Sequence, residues 1–475
     1  MYALIYFDTE DFFSPPDHPV HRLPGQLAQI MPRHGLPGCF HIHGEKARFM
    51  ERHGQRDVIE AIRRHDVSLH FDRGSVHPTT AEEVSQLGWF EGVERVLFRE
   101  LPGFQALRRI FGKCSGLTQH GGTFAAQIVF AAGRLGKPFF YSPFRLPGRN
   151  IVWYCQNLLI GGYQAGFHFD QHYRDTPRFE EQLAKVEGYL AGRAREYDFT
   201  AMFGCHPVIT IMERFPDAIN FGRGAAPPPP EWEPPRMIEG VSIPLILENF
   251  ERLVRTLVAQ PGIEWTDVAG LYERFGSRPV RVTDEVVVRG AQAVVANGGP
   301  TWTEELSAAE LLFLLARRSL APAESYEVPQ VMGPAHREGR PAAGLDGAQP
   351  AAVAEEIVAA CTASGYLPAE LSEGCREITP EQALILLACS ALERPLIAPD
   401  QRRETVEAIP GVPEAIANVR RYRSWRCHGQ QYRPEGILDP FRRQCWTLKP
   451  AFTAEGYGSG VQLGRHMNPM FERPA

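Results

Sequence analysis

Short apolar runs alternate with amphipathic segments along the first half of the chain. Residues 3–7, 38–43 and 67–70 each have the length and composition of a buried strand. The segment between the last two, residues 45–65, carries apolar side chains on one helical face. Strands that alternate with helices in this way predict a parallel sheet, either open or closed into a barrel.

The same alternation continues beyond these first strands. We predict helices at 123–135, 179–194 and 245–257, and these are followed by strands at 138–141, 200–205 and 263–266, respectively. The proline-rich stretch 225–236 cannot extend a helix or a central strand, because proline lacks the backbone N–H. We interpret it as a rigid surface loop within this first domain, which the pattern places at residues 1–277.

The character of the chain changes near Arg278, where segments rich in Ala, Leu and Glu predict a smaller, mainly α-helical domain at 278–475. Two of its segments, 306–320 and 378–392, resemble each other. Each begins with a Ser or Thr that suits an N-cap and has an acidic residue in the first turn. We interpret the pair as a duplicated helical unit; the alternative is two unrelated leucine-rich helices.

Composition and charge narrow the class of protein. The chain has 475 residues, which favours two domains over one core, and its 44% hydrophobic content is typical of a globular protein. A net charge of −6 gives no reason to expect nucleic acid as a partner. No apolar run is long enough for a membrane span, and the N-terminus resembles a strand and not a signal peptide, so we expect a cytoplasmic protein.

The nine cysteines are scattered and form no CxxC pair. This arrangement predicts reduced, mostly buried thiols, and it argues against a structural metal site built from cysteine.

Candidate chemistry begins where the first strand ends. Asp8 and Glu10 share one face of a strand, and Asp11 falls on the loop that follows. Three carboxylates this close repel each other, and a bound cation or a raised pKa relieves that repulsion. A solvated acidic turn is the alternative interpretation.

Histidines follow at later strand ends, where parallel α/β folds form their sites. His70 ends the third predicted strand, and His206 ends the strand at 200–205. His70 and His77 would lie about 10.5 Å apart along a helix, so only a loop through Gly74 could let them share an ion. A His–His–carboxylate set with an open position is typical of a hydrolytic zinc or similar divalent site.

A second metal set is conceivable in the sequence FHFDQHY. On a strand, His168, Asp170 and His172 would share one face. Ordinary polar alternation on a half-buried strand explains the same pattern.

Taken in order, FDTED at 7–11, GCFHIHGEKA at 38–47, the segment from HDVSLH to SVHPT at 65–79 and HPVI at 206–209 resemble the NodB-type polysaccharide deacetylases of carbohydrate esterase family 4. The resemblance covers roughly residues 1–275. It implies a distorted (β/α)7-type barrel, an acetylated carbohydrate as substrate, and one divalent metal ion. Zinc is the first expectation for that ion, with cobalt, nickel or iron as alternatives.

The resemblance also implies roles for individual residues. Asp8 matches the general base, His206 the general acid, and His70 the first metal histidine. Glu10 and Asp11 both remain candidates for the metal carboxylate.

The chain departs from the family pattern at two places. The second metal histidine should stand four residues after His70, where this chain has Gly74. His77 or Asp72 could substitute for it. The family's arginine–proline motif is missing as well, and His120 is a candidate substrate-binding replacement in roughly that region.

These departures leave three hypotheses open. The first is a metal-dependent hydrolase that removes an acetyl group from an N- or O-acetylated sugar. The second is a catalytically inactive, deacetylase-like binding module. The third is a metal-free ureide or amide hydrolase on the same fold. The sequence carries no signal for the oligomeric state.

Overall fold

The first part of the chain folds around one large β-sheet. The structure is a computed structural model, and it describes residues 1–161, 167, 169–336, 348–373, 376–396 and 405–465. The strands are β1 Tyr2–Thr9, β2 Cys39–Ile42, β3 Asp66–Leu69, β4 Leu117–Thr118, β5 Phe139–Phe140, β6 Ile151–Tyr154, β7 Asn157–Ile160, β8 Phe199–Cys205, β9 Glu264–Trp265, β10 Ser277–Thr283, β11 Ser325–Glu327, β12 Leu371–Glu373, β13 Arg376–Ile378, β14 Lys449–Pro450 and β15 Val461–Arg465.

Helices lie between most of these strands. They are α1 Leu23–Ile30, α2 Gly44–Arg52, α3 Arg56–Ile62, α4 Thr80–Val84, α5 Trp89–Phe111, α6 Ala126–Arg134, α7 Thr176–Ala191, α8 Pro207–Ile211, α9 Pro216–Asn220, α10 Ile243–Val258, α11 Val268–Phe275, α12 Asp284–Asn297, α13 Ala308–Leu320, α14 Pro350–Ser364, α15 Pro380–Ala391, α16 Val412–Arg421 and α17 Pro434–Gln444.

The large sheet has the strand order β14-β6-β7-β5-β4-β3-β2-β1-β8, and β9 also pairs with β1. The strands from β8 through β1 to β5 and β7 pair in parallel, whereas β6 forms an antiparallel hairpin with β7. Because this order runs between two ends, β8 and β14, the described strands form an open version of the predicted barrel. The predicted class, an α/β domain followed by a mainly helical part, is confirmed.

The central strands are buried on both faces, as helix-covered parallel strands must be. Every residue of β2, β3 and β8 is buried. Apolar side chains of β1 such as Ile5 and Phe7 lie in a core that also includes side chains from α1, α5 and α10.

Both predicted leucine-rich helices are present in the C-terminal part, as α13 and α15. Ser307 caps α13 in a reciprocal capping box with Glu310, and Thr379 caps α15 with Gln382 in the same way. The two helices pack against each other. Their origin by duplication stays a prediction.

Contacts cross the predicted domain boundary at 277/278. Strand β14 pairs with β6 of the large sheet. Within the C-terminal part, the buried Lys449 ammonium group of β14 contacts the Glu310 carboxylate of α13 at 2.7 Å, which ties α13 to the strand that joins the large sheet. A buried ion pair of this kind fixes the relative position of its two elements, because separating the charges would leave each one unpaired.

Two further expectations concern cysteines and membrane spans. The cysteines within the described residues are free and buried, as predicted. Among the described helices, none combines the length and apolar character that a membrane span requires.

Glu100 of α5 holds the loop that follows β3. Its carboxyl group accepts hydrogen bonds from the Asp72 amide at 2.7 Å and from the Thr80 hydroxyl at 2.6 Å. Complete burial raises the pKa of Glu100 to about 7. When folding raises the pKa of an acid, the folded state becomes less stable as the pH rises from the unfolded-state pKa through the folded-state pKa, because the buried group must then ionise.

We therefore expect Glu100→Gln, which mimics the neutral acid, to gain stability relative to the wild type as the pH rises from about 5 to about 8. The gain approaches roughly 2–3 kcal/mol, since one pKa unit corresponds to ~1.4 kcal/mol. Thermal unfolding across this pH range measures it, with the exposed Glu91→Gln on the same helix as control. An unchanged pH dependence in Glu100→Gln would contradict the expectation.

Candidate metal and catalytic site

Five neighbouring strands bring polar side chains to one edge of the large sheet. Asp8 lies near the end of β1 and stands opposite His41 of β2 in the parallel register. His70 directly follows β3, His120 follows β4, and His206 directly follows β8. The parallel strand order brings these side chains together, because the carboxyl ends of parallel strands share one edge of the sheet.

Asp8 faces two histidines. Its Oδ1 lies 3.0 Å from His41 Nδ1, and its Oδ2 lies 3.7 Å from His206 Nε2. Burial alone would raise the pKa of Asp8, but the charge of His70 and the hydrogen bond from His41 outweigh it and lower that pKa. Asp8 is therefore an ionised carboxylate near neutral pH.

Glu10, His70 and His120 form a compact buried group. Glu10 Oε1 lies 3.1 Å from His70 Nε2 and 3.4 Å from His120 Nε2. One ligand atom from each residue lies within 4.8 Å of the other two. Two imidazole nitrogens and one carboxylate oxygen are the donor set of many catalytic zinc sites.

The orientation of His70 suits a metal ligand. Its Nδ1 contacts Thr118 Oγ1 at 2.7 Å, and the Thr118 hydroxyl donates to the Leu69 carbonyl oxygen at 3.2 Å. Thr118 can then only accept from His70, so in the neutral ring the proton is on Nδ1 and the Nε2 lone pair faces Glu10. Two acceptors at 3.1 Å need a proton or a metal ion between them.

His120 lies between two carboxylates. Its Nε2 is 3.1 Å from Asp217 Oδ2, which also accepts a hydrogen bond from the Ser75 hydroxyl at 2.6 Å. Burial would lower the pKa of His120, but the hydrogen bonds with Asp217 and Glu10 dominate and raise it to about 10. Without a metal ion, a proton on His120 therefore neutralises part of this acidic pocket.

His206 is held by the carboxylate of Asp170, a residue that the sequence suggested only for a second metal set. Asp170 Oδ1 accepts from the His206 backbone N–H at 2.7 Å, and its Oδ2 lies 3.1 Å from His206 Nδ1. Burial would lower the pKa of His206, but the Asp170 charge outweighs it and raises that pKa to about 9. The ring is therefore a protonated acid at neutral pH, with Nε2 directed toward Asp8.

The structure does not bring Asp11 or His77 into this group. Asp11 Oδ1 accepts hydrogen bonds from the backbone N–H groups of Phe13 and Ser14, which fixes the loop after β1. His77 Nδ1 lies 2.7 Å from Glu82 Oε2. Neither belongs to a metal-capable group among the described residues, so Glu10 is the better-placed carboxylate and His120 the better-placed second histidine.

Asp72, the other suggested substitute, is also engaged elsewhere. Its carboxylate forms an ion pair with Arg48 of α2, at a distance of 2.8 Å.

The space at Gly74 is filled by another histidine. A Cβ at Gly74 would lie 2.5 Å from two atoms of the His43 ring, and Gly74 has a φ of +54°, a conformation that favours glycine. The His43 ring stacks on His70 with a centroid distance of 5.1 Å. The His43 ring therefore occupies the space into which a side chain at position 74 would extend.

The sequence did not single out three residues that the structure places at this site, His41, His43 and Asp217, and it suggested Asp170 only as part of another set. His41 and His43 lie in the segment GCFHIH, where a predicted strand ends. The rule that identified His70, a polar residue at the end of an apolar strand, applies to them as well. Asp170 and His172 do not form the predicted strand, since His172 begins a 3₁₀ turn, His172–Arg174. His168, the third member of that hypothetical set, lies outside the described residues.

Two cavities adjoin the group. One of about 380 Å³ lies on the Asp8 side and is lined mainly by aromatic rings, namely Tyr6, Phe140, Tyr141, Phe203 and Tyr422. The other, of about 250 Å³, lies on the Glu10 side and includes Asp217, Trp425 and Arg426. His206 and Gly121 line both, so the polar group stands between the two spaces.

Fold and site together describe an α/β protein with a buried His–carboxylate centre at the carboxyl edge of a parallel sheet. Solved structures similar to this chain are polysaccharide deacetylases and family 4 carbohydrate esterases, the family that the sequence motifs resemble. Neither a protein-family model nor a curated protein sequence matches the chain.

Three solved structures illustrate the similarity. A protein from Mycobacterium smegmatis assigned to the polysaccharide deacetylases is 12% identical, with a TM-score of 0.37 over 57% of this chain and 88% of its own. An acetyl xylan esterase from Clostridium thermocellum, solved with a cobalt ion, is 10% identical, with a TM-score of 0.31 over 57% and 91%. A mutant of a CE4 family pseudoenzyme is 9% identical, with a TM-score of 0.30 over 57% and 66%.

At such identities the activity of these proteins does not transfer to this chain. The reaction has to be derived from its own side chains.

Gly74 offers a test of the arrangement around His43. We expect Gly74→Ala to destabilise the fold by roughly 2–4 kcal/mol, because it combines a left-handed backbone with a clash against a buried ring. Gly54→Ala is the matched control, since Gly54 has a φ of +64° but nothing within 4 Å of its would-be Cβ. Chemical denaturation measures both variants, and equal losses would show that His43 does not occupy this space.

Proposed function

We propose that this protein is a metal-dependent hydrolase that removes an acetyl group from an N- or O-acetylated sugar. The observation that carries the proposal is the convergence of Glu10, His70 and His120 beside Asp8 and a protonated His206. One edge of the sheet then offers a ligand set, a base and an acid within reach of one substrate. The acetylated sugar as substrate class rests on the sequence resemblance.

Glu10 Oε1, His70 Nε2 and His120 Nε2 would hold the ion, with zinc as our first expectation. A divalent ion with three protein ligands and an open position polarises a carbonyl group and lowers the pKa of bound water. Thr118 fixes the His70 ring through Nδ1. Asp217 and Glu10 both contact Nε2 of His120, and this nitrogen would have to release its proton to bind the ion.

Asp8 acts as the general base. Its lowered pKa keeps it ionised, so that it can accept a proton from the attacking water. His41 orients the carboxylate through the 3.0 Å contact to Oδ1, which leaves Oδ2 directed toward His206.

His206 acts as the general acid and donates a proton to the leaving amine or alkoxide. Asp170 holds Nδ1 and the backbone N–H, so the Nε2 proton is the one available for transfer. In this reaction the attacking water loses a proton to Asp8, and the leaving group gains a proton from His206. Asp8 must therefore start ionised and His206 protonated, which agrees with the lowered pKa of Asp8 and the raised pKa of His206.

Metal content tests the ligand set. We expect about one equivalent of zinc, cobalt, nickel or iron in the wild type after reconstitution, and a loss of at least roughly tenfold in affinity in His70→Ala and His120→Ala. His77→Ala and Asp11→Asn serve as controls and should keep the ion. Elemental analysis and a competition titration with a chelator provide the readouts.

Two outcomes would overturn this ligand set. If His77→Ala loses the ion and His120→Ala keeps it, the loop after β3 supplies the second histidine. If no protein binds an ion, the metal mechanism fails, and the inactive binding module and the metal-free ureide or amide hydrolase become the better hypotheses.

Removal of the base tests the chemistry separately from the metal. We expect Asp8→Asn to bind the ion as the wild type does but to release acetate more slowly by roughly 10²–10⁴-fold, the usual contribution of general base catalysis. Acetate release from N-acetylglucosamine and from 4-nitrophenyl acetate measures the rate. A rate near that of the wild type would assign the base to another residue.

Asp170 is a positioning residue whose effect depends on pH. Protonated His206 is the active form, so activity should fall as the pH rises through the pKa of His206, about 9 in this structure. Asp170→Asn removes the charge that raises this pKa, so the alkaline limb of kcat should move to lower pH. A uniform loss at every pH, with no shift of the limb, would show that Asp170 only supports the fold.

A further inference from the structure

The C-terminal part contributes a wall to the catalytic cleft. Tyr422 lines the aromatic cavity beside Asp8, and Trp425 with Arg426 lines the cavity beside Glu10. The Trp425 ring stands nearly perpendicular to the His120 ring, at 87° with a centroid distance of 5.6 Å. We call residues 422–433 the cap segment.

The loop after β4 is shaped to receive the cap segment. A Cβ at Gly121 would lie 2.2 Å from the Trp425 ring, and one at Gly122 would lie 2.7 Å from the Trp425 Cβ. Two consecutive glycines therefore leave the space that Trp425 occupies directly beside His120. A close fit of this kind is typical of a permanent contact and not of an incidental one.

Hydrogen bonds attach the cap segment and the preceding helix to three sides of the cleft. On the β5 side, Tyr422 bonds to the Tyr141 hydroxyl, and Asn418 of α16 donates to the Pro143 carbonyl oxygen at 2.8 Å. On the β3 side, the Gly429 N–H donates to Glu82 and the Arg433 N–H donates to Ser85 Oγ at 3.0 Å. These attachments occur at both ends of the segment.

The third attachment faces the loop after β8. The Arg223 N–H donates to the Arg426 carbonyl oxygen at 2.6 Å. The cap segment thus spans the cleft from β5 to β3 and also contacts the chain just after α9, the helix that carries Asp217.

We propose that the cap segment limits this enzyme to small acetylated molecules and excludes polymeric chains. This inference rests on the proposed function, since it names the substrate class of the same site. A polymer needs a groove with two open ends, whereas here the cap segment meets the cleft walls on three sides. The larger cavity, at about 380 Å³, is near the lower limit of ordinary small-molecule sites.

The aromatic cavity also indicates how the small molecule is held. Rings of Tyr6, Phe140, Phe203 and Tyr422 offer apolar faces beside Asp8, on which the C–H face of a sugar ring or another flat group can pack. The acetyl group would then point toward Glu10 and His120, between the two cavities.

The test compares one small substrate with its own polymer. We would measure kcat/KM per acetyl group for N-acetylglucosamine and for its β-1,4-linked tetramer, with the metal-loaded wild type, Trp425→Ala and Arg423→Ala. Arg423 is the matched control, because it is exposed within the cap segment and lines neither of the two cavities. Where Trp425→Ala does not fold, Trp425→Leu replaces it.

We expect the wild type to favour the monomer by roughly tenfold or more, Trp425→Ala to reduce that preference by a similar factor, and Arg423→Ala to keep it. Equal use of monomer and tetramer by the wild type would overturn the proposal. So would a preference that Trp425→Ala leaves unchanged.

Binding calorimetry of the same two sugars separates this inference from the proposed function. If no protein releases acetate from these sugars or from 4-nitrophenyl acetate, the hydrolase proposal fails, while monomer-selective binding that Trp425→Ala relaxes would still support the size limit. If the monomer does not bind, or the tetramer binds equally well, the size limit fails as well.

Discussion

Opposite charges at the carboxyl edge of the sheet have to be buried together, and most features of the site follow from this constraint. Asp8 and Glu10 are carboxylates removed from water, which costs several kcal/mol for each unpaired charge. Histidines from four other strands lie against them, and His206 and His120 gain protons in return. The buried carboxylates are stable only because the protonated histidines lie beside them, and the reverse holds as well. The carboxylate motif alone therefore does not define this cluster.

The same constraint explains why the residues around the cluster are themselves fixed. Thr118 and Asp170 each hold Nδ1 of a histidine and leave its Nε2 directed inward. Asp217 contacts His120 at Nε2, the inward nitrogen itself. A protonated histidine that could rotate would exchange its carboxylate partner for water. Burial combined with a second partner removes that freedom, and it is also the preorganisation that hydrolytic chemistry requires.

Local sequence predicted the strand ends well, because a short apolar run that stops at a polar residue has few other interpretations. That rule located Asp8, His70 and His206. It did not reveal which histidine completes the ligand set, since this depends on distance between loops and not on spacing along the chain. His77 was the nearest histidine in sequence to the vacant family position, yet Glu82 holds it, and His120 arrives from the next strand. Likewise, nothing in the pattern around Asp170 indicates that it faces His206.

The packing around Gly74 bears on the proposed ligand set, in which His120 after β4 takes the place of a histidine four residues after His70. His43 fills the volume next to His70, so a side chain at position 74 has no room and that position cannot carry a ligand unless His43 shifts. The end of the adjacent strand β4 instead brings the Nε2 atom of His120 to Glu10 and His70. The glycines that follow His120 in turn leave the space for Trp425. In this proposal the second ligand and the closure of the cleft share one loop, the sequence His120–Gly121–Gly122, since His120 would bind the ion and the two glycines leave the space for Trp425.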